Sequence, residues 1–218
     1  MQGSSGPIEG DKILSLPTID GQGKTIGEQL TDVNLAVREK VEVRRGEALK
    51  CSNGIIATYL HMSPTPNVGS IGSMVAVSVD QKIDSGNQNK ITELGKKLAM
   101  HVVAAKPLFL SIDSVPEDII EAEKDVLRSQ PGVSSKPPNI IEKMITGRLE
   151  KYMKQIVLLK QNFIMDDSQS ITDVLKQESK DLGTAVNIPQ FLRYQVGEGI
   201  EKKEVDFAQE VAEAVKQT

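Results

Sequence analysis

Apolar residues recur at helical spacing in several stretches of this chain and alternate in others, and the two periods together predict its architecture. Ile26, Leu30, Val33 and Val37 fall on one side of a helix from Thr25 to about Lys40. Its start, Thr25-Ile-Gly-Glu28, fits a capping box, in which the hydroxyl takes an orphan amide and the carboxylate reaches back. Strands are expected at Val41–Arg45, Gly54–Leu60, Ile71–Val79 (with Val75, Val77 and Val79 alternating) and Val186–Val196. Met62-Ser-Pro-Thr-Pro-Asn-Val-Gly69 holds two Pro and a Gly and must be a loop. A helix over Lys90–Ala105 carries Ile91, Leu94, Leu98, Val102 and Ala105 and stops at Pro107. Two more helices, Ser114 to about Gln130 and Asn139 to Gln155, flank the turn Pro131–Pro138 and so pair as an antiparallel hairpin. Their apolar stripes exceed what each covers for the other, so the hairpin is expected to dock on the body or on a partner. Ser170-Ile-Thr-Asp173 opens a further capped helix, and Lys203–Lys216 reads as an amphipathic terminal helix. Thr25–Arg45 and Ser170–Tyr194 share an order of capped helix, polar turn and strand with an Arg near its end, a weak internal repeat.

The expected fold class is α+β: a small antiparallel sheet of three to four strands packed with helices, a projecting helical hairpin and a C-terminal helix. Residues 1–24, rich in Gly and with apolar islands only at Ile13–Leu16 and Ile19, read as a flexible leader. The expected core comprises 25–110 and 158–199, the hairpin 111–157 and the terminal module 200–218.

Composition narrows the function. With 218 residues the chain can bury a real core, and 26 Lys+Arg against 30 Asp+Glu give a formal charge of -4. That mild acidity, with four Phe, three Tyr and no Trp, argues against bulk nucleic-acid binding. One Cys rules out an intramolecular disulfide framework, and one Cys with two His does not make an ordinary structural zinc site. No apolar run approaches the ~20 residues that span a bilayer.

Covalent chemistry finds no support either. Carboxylate pairs such as Glu121 with Asp125, or Asp166 with Asp167, read as solvated faces. His61 sits at a strand end and His101 beside the apolar stripe of its helix, where packing or hydrogen bonding explains a lone His better than base catalysis does. Cys51 has no basic neighbour beyond Lys50, and no nucleophile elbow exists. Gly69-Ser-Ile-Gly72 lacks the Lys-Ser/Thr of a phosphate loop, and Gly197-Glu-Gly199 lacks a third glycine. No cofactor and no metal are expected, and the chain reads as a non-enzyme.

Four blocks carry a family resemblance: Leu98–Pro107 (LAMHVVAAKP), Asn139–Tyr152 (NIIEKMITGRLEKY), Phe163-Ile-Met165 and Phe191–Gly199 (FLRYQVGEG). In this order they resemble translation elongation factor Ts, the nucleotide exchange factor for elongation factor Tu, over about residues 24–218. Tyr59–Pro66 and Pro107–Ser111 are most similar to mitochondrial forms of plants and algae, and Val205–Val211 resembles the C-terminal module of bacterial members. The family's three-helix ubiquitin-associated-like domain has no counterpart in the chain. Nor has its Thr-Asp-Phe-Val, whose Asp-Phe pair pushes into the partner's GTPase domain near the magnesium site. Thr31-Asp-Val-Asn34 lies mid-helix and lacks the aromatic.

The resemblance implies a partner, elongation factor Tu in its nucleotide-free and GDP-bound forms, and an activity, exchange weakened by the missing tetrapeptide. Contacts with the partner's β-barrel domain would fall on His61, Met62, Pro64 and Pro66, with His101 and Lys106 beside them. Contacts with its GTPase domain would fall on Val205, Asp206, Phe207 and Val211, unless that helix packs on its own core. Ile141, Ile145, Leu149 and Tyr152 on the hairpin would support self-association as a homodimer. No membrane and no direct nucleic-acid partner is expected. The implied compartment is the mitochondrial matrix, with plastid or bacterial cytoplasm as alternatives. A non-catalytic holder of elongation factor Tu and a ribosome- or RNA-associated protein are the competing readings.

Overall fold

The computed structural model describes residues 6–8, 10–19, 23–81, 84–130 and 137–198. Its centre is a three-stranded antiparallel sheet of β3 (Gly54–His61), β4 (Ile71–Val79) and β7 (Val186–Gln195), with β4 in the middle. Val75, Val77 and Val79 point to one face of β4. Helix α3 (Ser85–Ala105) lies across that face and meets them with Ile91, Leu94, Leu98 and Val102. Burying each such side chain contributes roughly 1.5–3 kcal/mol. The approach is close at Gly95, where a Cβ would lie 2.8 Å from both Ala57 Cβ and Ile55 Cδ1. Ser73 Oγ donates to Ala99 O at 2.7 Å farther along.

β7 reaches the same core in two phases. Val186 and Ile188 are buried at its start, then Phe191 packs on the cluster from an odd position. The switch is a register shift opposite Ala76–Ser78, where Pro189 falls and no ladder donor is needed. α6 (Ile171–Leu182) adds Ile171 and Leu175 to the core. It opens on a capping box between Ser170 and Asp173, and Ser170 draws the Asp173 carboxyl below its ordinary range. It closes on Gly183 at φ 67, a left-handed position that glycine adopts without strain.

α3 begins five residues earlier than its apolar periodicity predicts. The polar run Ser85–Asn89 is helical because the Asp84 carboxylate accepts from Asn87 N–H at 2.8 Å. The hairpin consists of α4 (Glu117–Arg128) and α5 (Pro138–Ile156), and most of its expected connecting turn (131–136) lies outside the described residues. Its base is a second cluster of Val115, Met153, Ile156 and Val157, packed with Phe109, Ile119, Ile120, Leu149 and Tyr152. Backbone bonds fasten it to the core: Leu108 and Phe109 N–H donate to Ile156 O, and Leu158 N–H donates to Phe109 O.

Two expectations are corrected. Part of the stretch 1–24, expected as a leader, forms β1 (Gly6–Ile8) and α1 (Gly10–Leu14). β1 pairs antiparallel with β2 (Gly46–Ala48), and α1 packs on α2 (Ile26–Val37). The apolar island Ile13–Leu16 is the cause. Ile13 lies over Gly46, and Leu16 O accepts from Ile26 N–H at 2.9 Å. The strand expected at Val41–Arg45 is irregular, because the Asn34 side chain holds the Val41 N–H (2.7 Å) and carbonyl (3.2 Å); the strand is β2 instead.

Candidate functional site

Of the expected contact residues, the loop His61–Pro66 and Lys106 lie at one end of the central sheet. The β3–β4 register ends at His61↔Ile71, and the loop between them leaves from that end. α3 crosses the sheet from Val77 past Ala57 to Ser73, so its C-terminus arrives there too. So does the end of β7, where Gln195 pairs with Ile71.

The loop is braced by its own bonds. Ser63 Oγ lies 2.7 Å from Thr65 O and 2.6 Å from Val68 O, and Ser70 N–H donates to His61 O. Met62 and Asn67 take left-handed backbones, at φ 52 and 65. His61, Met62, Pro64 and Pro66 are all exposed, Met62 at 69 %. His61 is neighboured by Tyr59, with ring centroids 6.3 Å apart. Two prolines and the Ser63 bonds spare this loop much of the ordering cost of binding. Lys106, exposed, caps α3 in a left-handed conformation at φ 50.

His101 does not join this surface. It is fully buried, and that corrects the expectation of a direct contact. Its Nε2 lies 2.9 Å from Gln161 Oε1, and its Nδ1 accepts from Ile164 N–H at 3.3 Å. Burial pushes its pKa below the ordinary 6.5, against a smaller upward pull from Gln161. Val205, Asp206, Phe207 and Val211 lie outside the described residues. Much of the expected hairpin stripe packs within the chain. Ile145 is buried, and Leu149 and Tyr152 pack in the basal cluster with Ile119 and Ile120 of α4. Ile141 lines a cleft with Lys124 and Arg128. Within the chain the stripe faces α4.

The face of the sheet away from α3 holds a cleft of about 830 Å³, with Leu60, Met74 and Leu192 on its floor. Arg45 stacks on the Tyr194 ring at 4.8 Å, and the Tyr194 hydroxyl donates to Glu47 at 2.9 Å. Burial, reinforced by Glu47, pushes that hydroxyl's pKa up. Arg44 and Arg45 both donate to Glu198 O, and Arg193 reaches the Glu198 carboxylate at 3.1 Å. Among the described residues no group of three or more His, Cys, Asp or Glu could hold a metal, and Cys51 Sγ lies against Val77 O.

A family model described as Elongation factor TS matches residues 6–198, which take in every described element of the chain. This chain belongs to the elongation factor Ts family. Among its relatives, Elongation factor Ts of Rhodospirillum centenum is 41% identical over 202 residues, 93% of this chain and 64% of that protein. That of Magnetococcus marinus is 42% identical over 204 residues, 94% and 63%. That of Rhodospirillum rubrum is 38% identical over 213 residues, 98% and 67%. The chain thus spans just under two thirds of the length of the first two. The match from residue 6 agrees with the order found in β1 and α1.

In this elongation factor Ts chain, the block Phe163-Ile-Met165 also carries an exposed feature that was not among the expected contacts. Ile164 (40 % exposed) and Met165 (48 %) form the tip between β5 (Asn162–Phe163) and β6 (Asp166–Ser170). The signal was present: two large apolar residues in a tight turn before Asp166-Asp167. Periodicity has nothing to register in a segment that short. Among the described residues no helix is long and apolar enough to cross a membrane.

Proposed function

We propose that this chain docks on elongation factor Tu and promotes release of its guanine nucleotide in translation elongation. The observation that carries this reading is the braced, exposed His61–Pro66 loop at the same end of the sheet as Lys106, in a chain of the elongation factor Ts family. Elongation factor Tu is the partner that the family implies, and its β-barrel domain is the surface these residues would meet.

An exchange factor works by preferring the empty partner. By linkage, it then weakens nucleotide binding by the same factor. Equal grip on both states shifts nothing, however large the surface. Val205, Asp206, Phe207 and Val211 are proposed to touch the GTPase domain, supported by the amphipathic pattern of Lys203–Lys216. The 218 residues contain no Thr-Asp-Phe-Val, so the proposed acceleration is weaker than that of a relative that carries it. The mitochondrial matrix is the proposed compartment, supported by Tyr59–Pro66 and Pro107–Ser111; the bacterial relatives support a bacterial cytoplasm instead.

Stopped-flow release of a fluorescent GDP from elongation factor Tu tests the activity. Acceleration that saturates with this chain, at a lower plateau than with a motif-bearing relative, is expected. A stable complex with unchanged release would favour the holding role, which the missing tetrapeptide independently suggests. Neither complex nor acceleration would contradict the proposal.

A further inference from the structure

Buried His101 is the titratable group that the docking surface leaves unused, yet it sits where three elements meet. Gln161 lies beside it with its amide orientation fixed: Nε2 donates to Ala105 O at 3.1 Å and to Gln155 O at 2.6 Å. The opposite amide assignment would set Oε1 against two carbonyls. Gln161 Oε1 is therefore the atom facing the ring, and His101 Nε2 carries the hydrogen that it accepts. Nδ1 is left as the lone-pair acceptor for Ile164 N–H. One neutral tautomer satisfies every bond. Through it, the end of α3, the end of α5 and the β5–β6 turn are held together, with the Phe163 ring against the imidazole at 6.0 Å between centroids.

Each of these elements carries an exposed group. Lys106 and Leu108 follow Ala105, and Ile164 and Met165 sit on the turn whose amide His101 receives. We propose that His101 is a positioning residue: by accepting the Ile164 N–H while donating to Gln161, it fixes the Ile164–Met165 tip relative to Lys106 for docking on elongation factor Tu, and protonation at Nδ1 releases the tip. The docking half of this statement rests on the function proposed above. A proton on Nδ1 would face the Ile164 N–H, donor against donor, in a site that water does not reach.

The charged residues closest in sequence to the latch are Lys97 on α3, Lys106 at its cap, Lys154 near the end of α5, Lys160 beside Gln161, and Asp166 and Asp167 on β6. Burial lowers the His101 pKa, and the hydrogen bond with Gln161 pulls it up by less.

Two substitutions separate the latch from simple core packing. The Asn amide oxygen can take the place of Nδ1 as acceptor and does not titrate, so His101→Asn should keep the bond from Ile164. His101→Ala removes it. Affinity for nucleotide-free elongation factor Tu is measured by calorimetry, and the protection factor of the Ile164 amide by hydrogen exchange on the free chain. Circular dichroism confirms that each variant is folded. His101→Ala should lose about tenfold in affinity and in Ile164 protection, the scale of one unmade buried hydrogen bond. His101→Asn should recover most of both. As the pH falls from about 7.5 through 6.5 toward the lower folded pKa, the wild type should lose affinity and Ile164 protection together, while His101→Asn stays flat. A folded His101→Ala that binds and protects like wild type would overturn the proposal, and so would the same acid response in His101→Asn. Should the wild type fail to bind at any pH, the functional reading falls and the exchange measurement alone decides the latch. Ile164 protection that is indifferent to acid and to both substitutions would then reject it.

Discussion

Gly95 occupies the tightest contact between helix and sheet, and its two obligations oppose each other. In a helix interior Ala is preferred to Gly by about 1 kcal/mol. Here the added methyl would lie 2.8 Å from Ala57 Cβ and Ile55 Cδ1, and overpacking of that kind typically costs about 1–3 kcal/mol. Gly95→Ala should therefore destabilise the chain by about 1–2 kcal/mol in urea titration despite its better helix propensity. His101 gives a second expectation at this scale. Its folded pKa lies below 6.5, so the unfolded chain takes up the proton first as pH falls. The stability that the neutral form contributes is complete above about pH 6.5, declines below it toward the lower folded value, and levels off beyond. Thermal melts across that window should show the decline in wild type and not in His101→Asn. Of the two roles, only the tendency of a lone His to pack or hydrogen-bond was legible in the sequence. Gly95 sits mid-helix with no turn to mark it, and His101 is adjacent to an apolar stripe in a way that fits both an exposed contact and a buried bond.

Elements were legible where local chemistry decides them. The Thr25/Glu28 and Ser170/Asp173 capping boxes form as their spacing indicates, and the Lys90–Ala105 stripe lies on the core. The misreadings share a cause, since each turns on a contact that the hydrophobic pattern does not encode. Pairing of β1 with β2 spans some forty residues, and Asn34 competes for the Val41 backbone that alternation assigns to a strand. β7 was found as a strand, but its change of phase at Pro189 is set by its partner β4. The hairpin tests how an amphipathic surplus is resolved. Leu149 packs at its base with Ile119 and Ile120, so Leu149→Asp should cost about 2 kcal/mol or more by desolvating a charge and losing the contact. Its mass in light scattering should match wild type. A wild-type dimer that this substitution dissolves would show that the stripe serves a second copy after all.

On the scale of the whole molecule, the sheet brings together residues far apart in sequence. The His61–Pro66 loop, Lys106 and the end of β7 meet at one end. The loop's part in this was legible from its prolines and from the family resemblance; the burial of His101 and the exposed Ile164–Met165 tip were not, because both depend on how β5–β6 folds back on α3. Met62→Glu should weaken binding to elongation factor Tu by about tenfold or more without changing the melting temperature, since the side chain packs little in the free chain and a carboxylate would be desolvated on docking. The most direct measurement is calorimetric affinity for elongation factor Tu, stripped of nucleotide and then loaded with GDP, under one buffer. The account predicts tighter binding to the empty form by about tenfold or more, the scale of an ordinary coupling between sites. Equal affinity for both forms, or none for either, would contradict it.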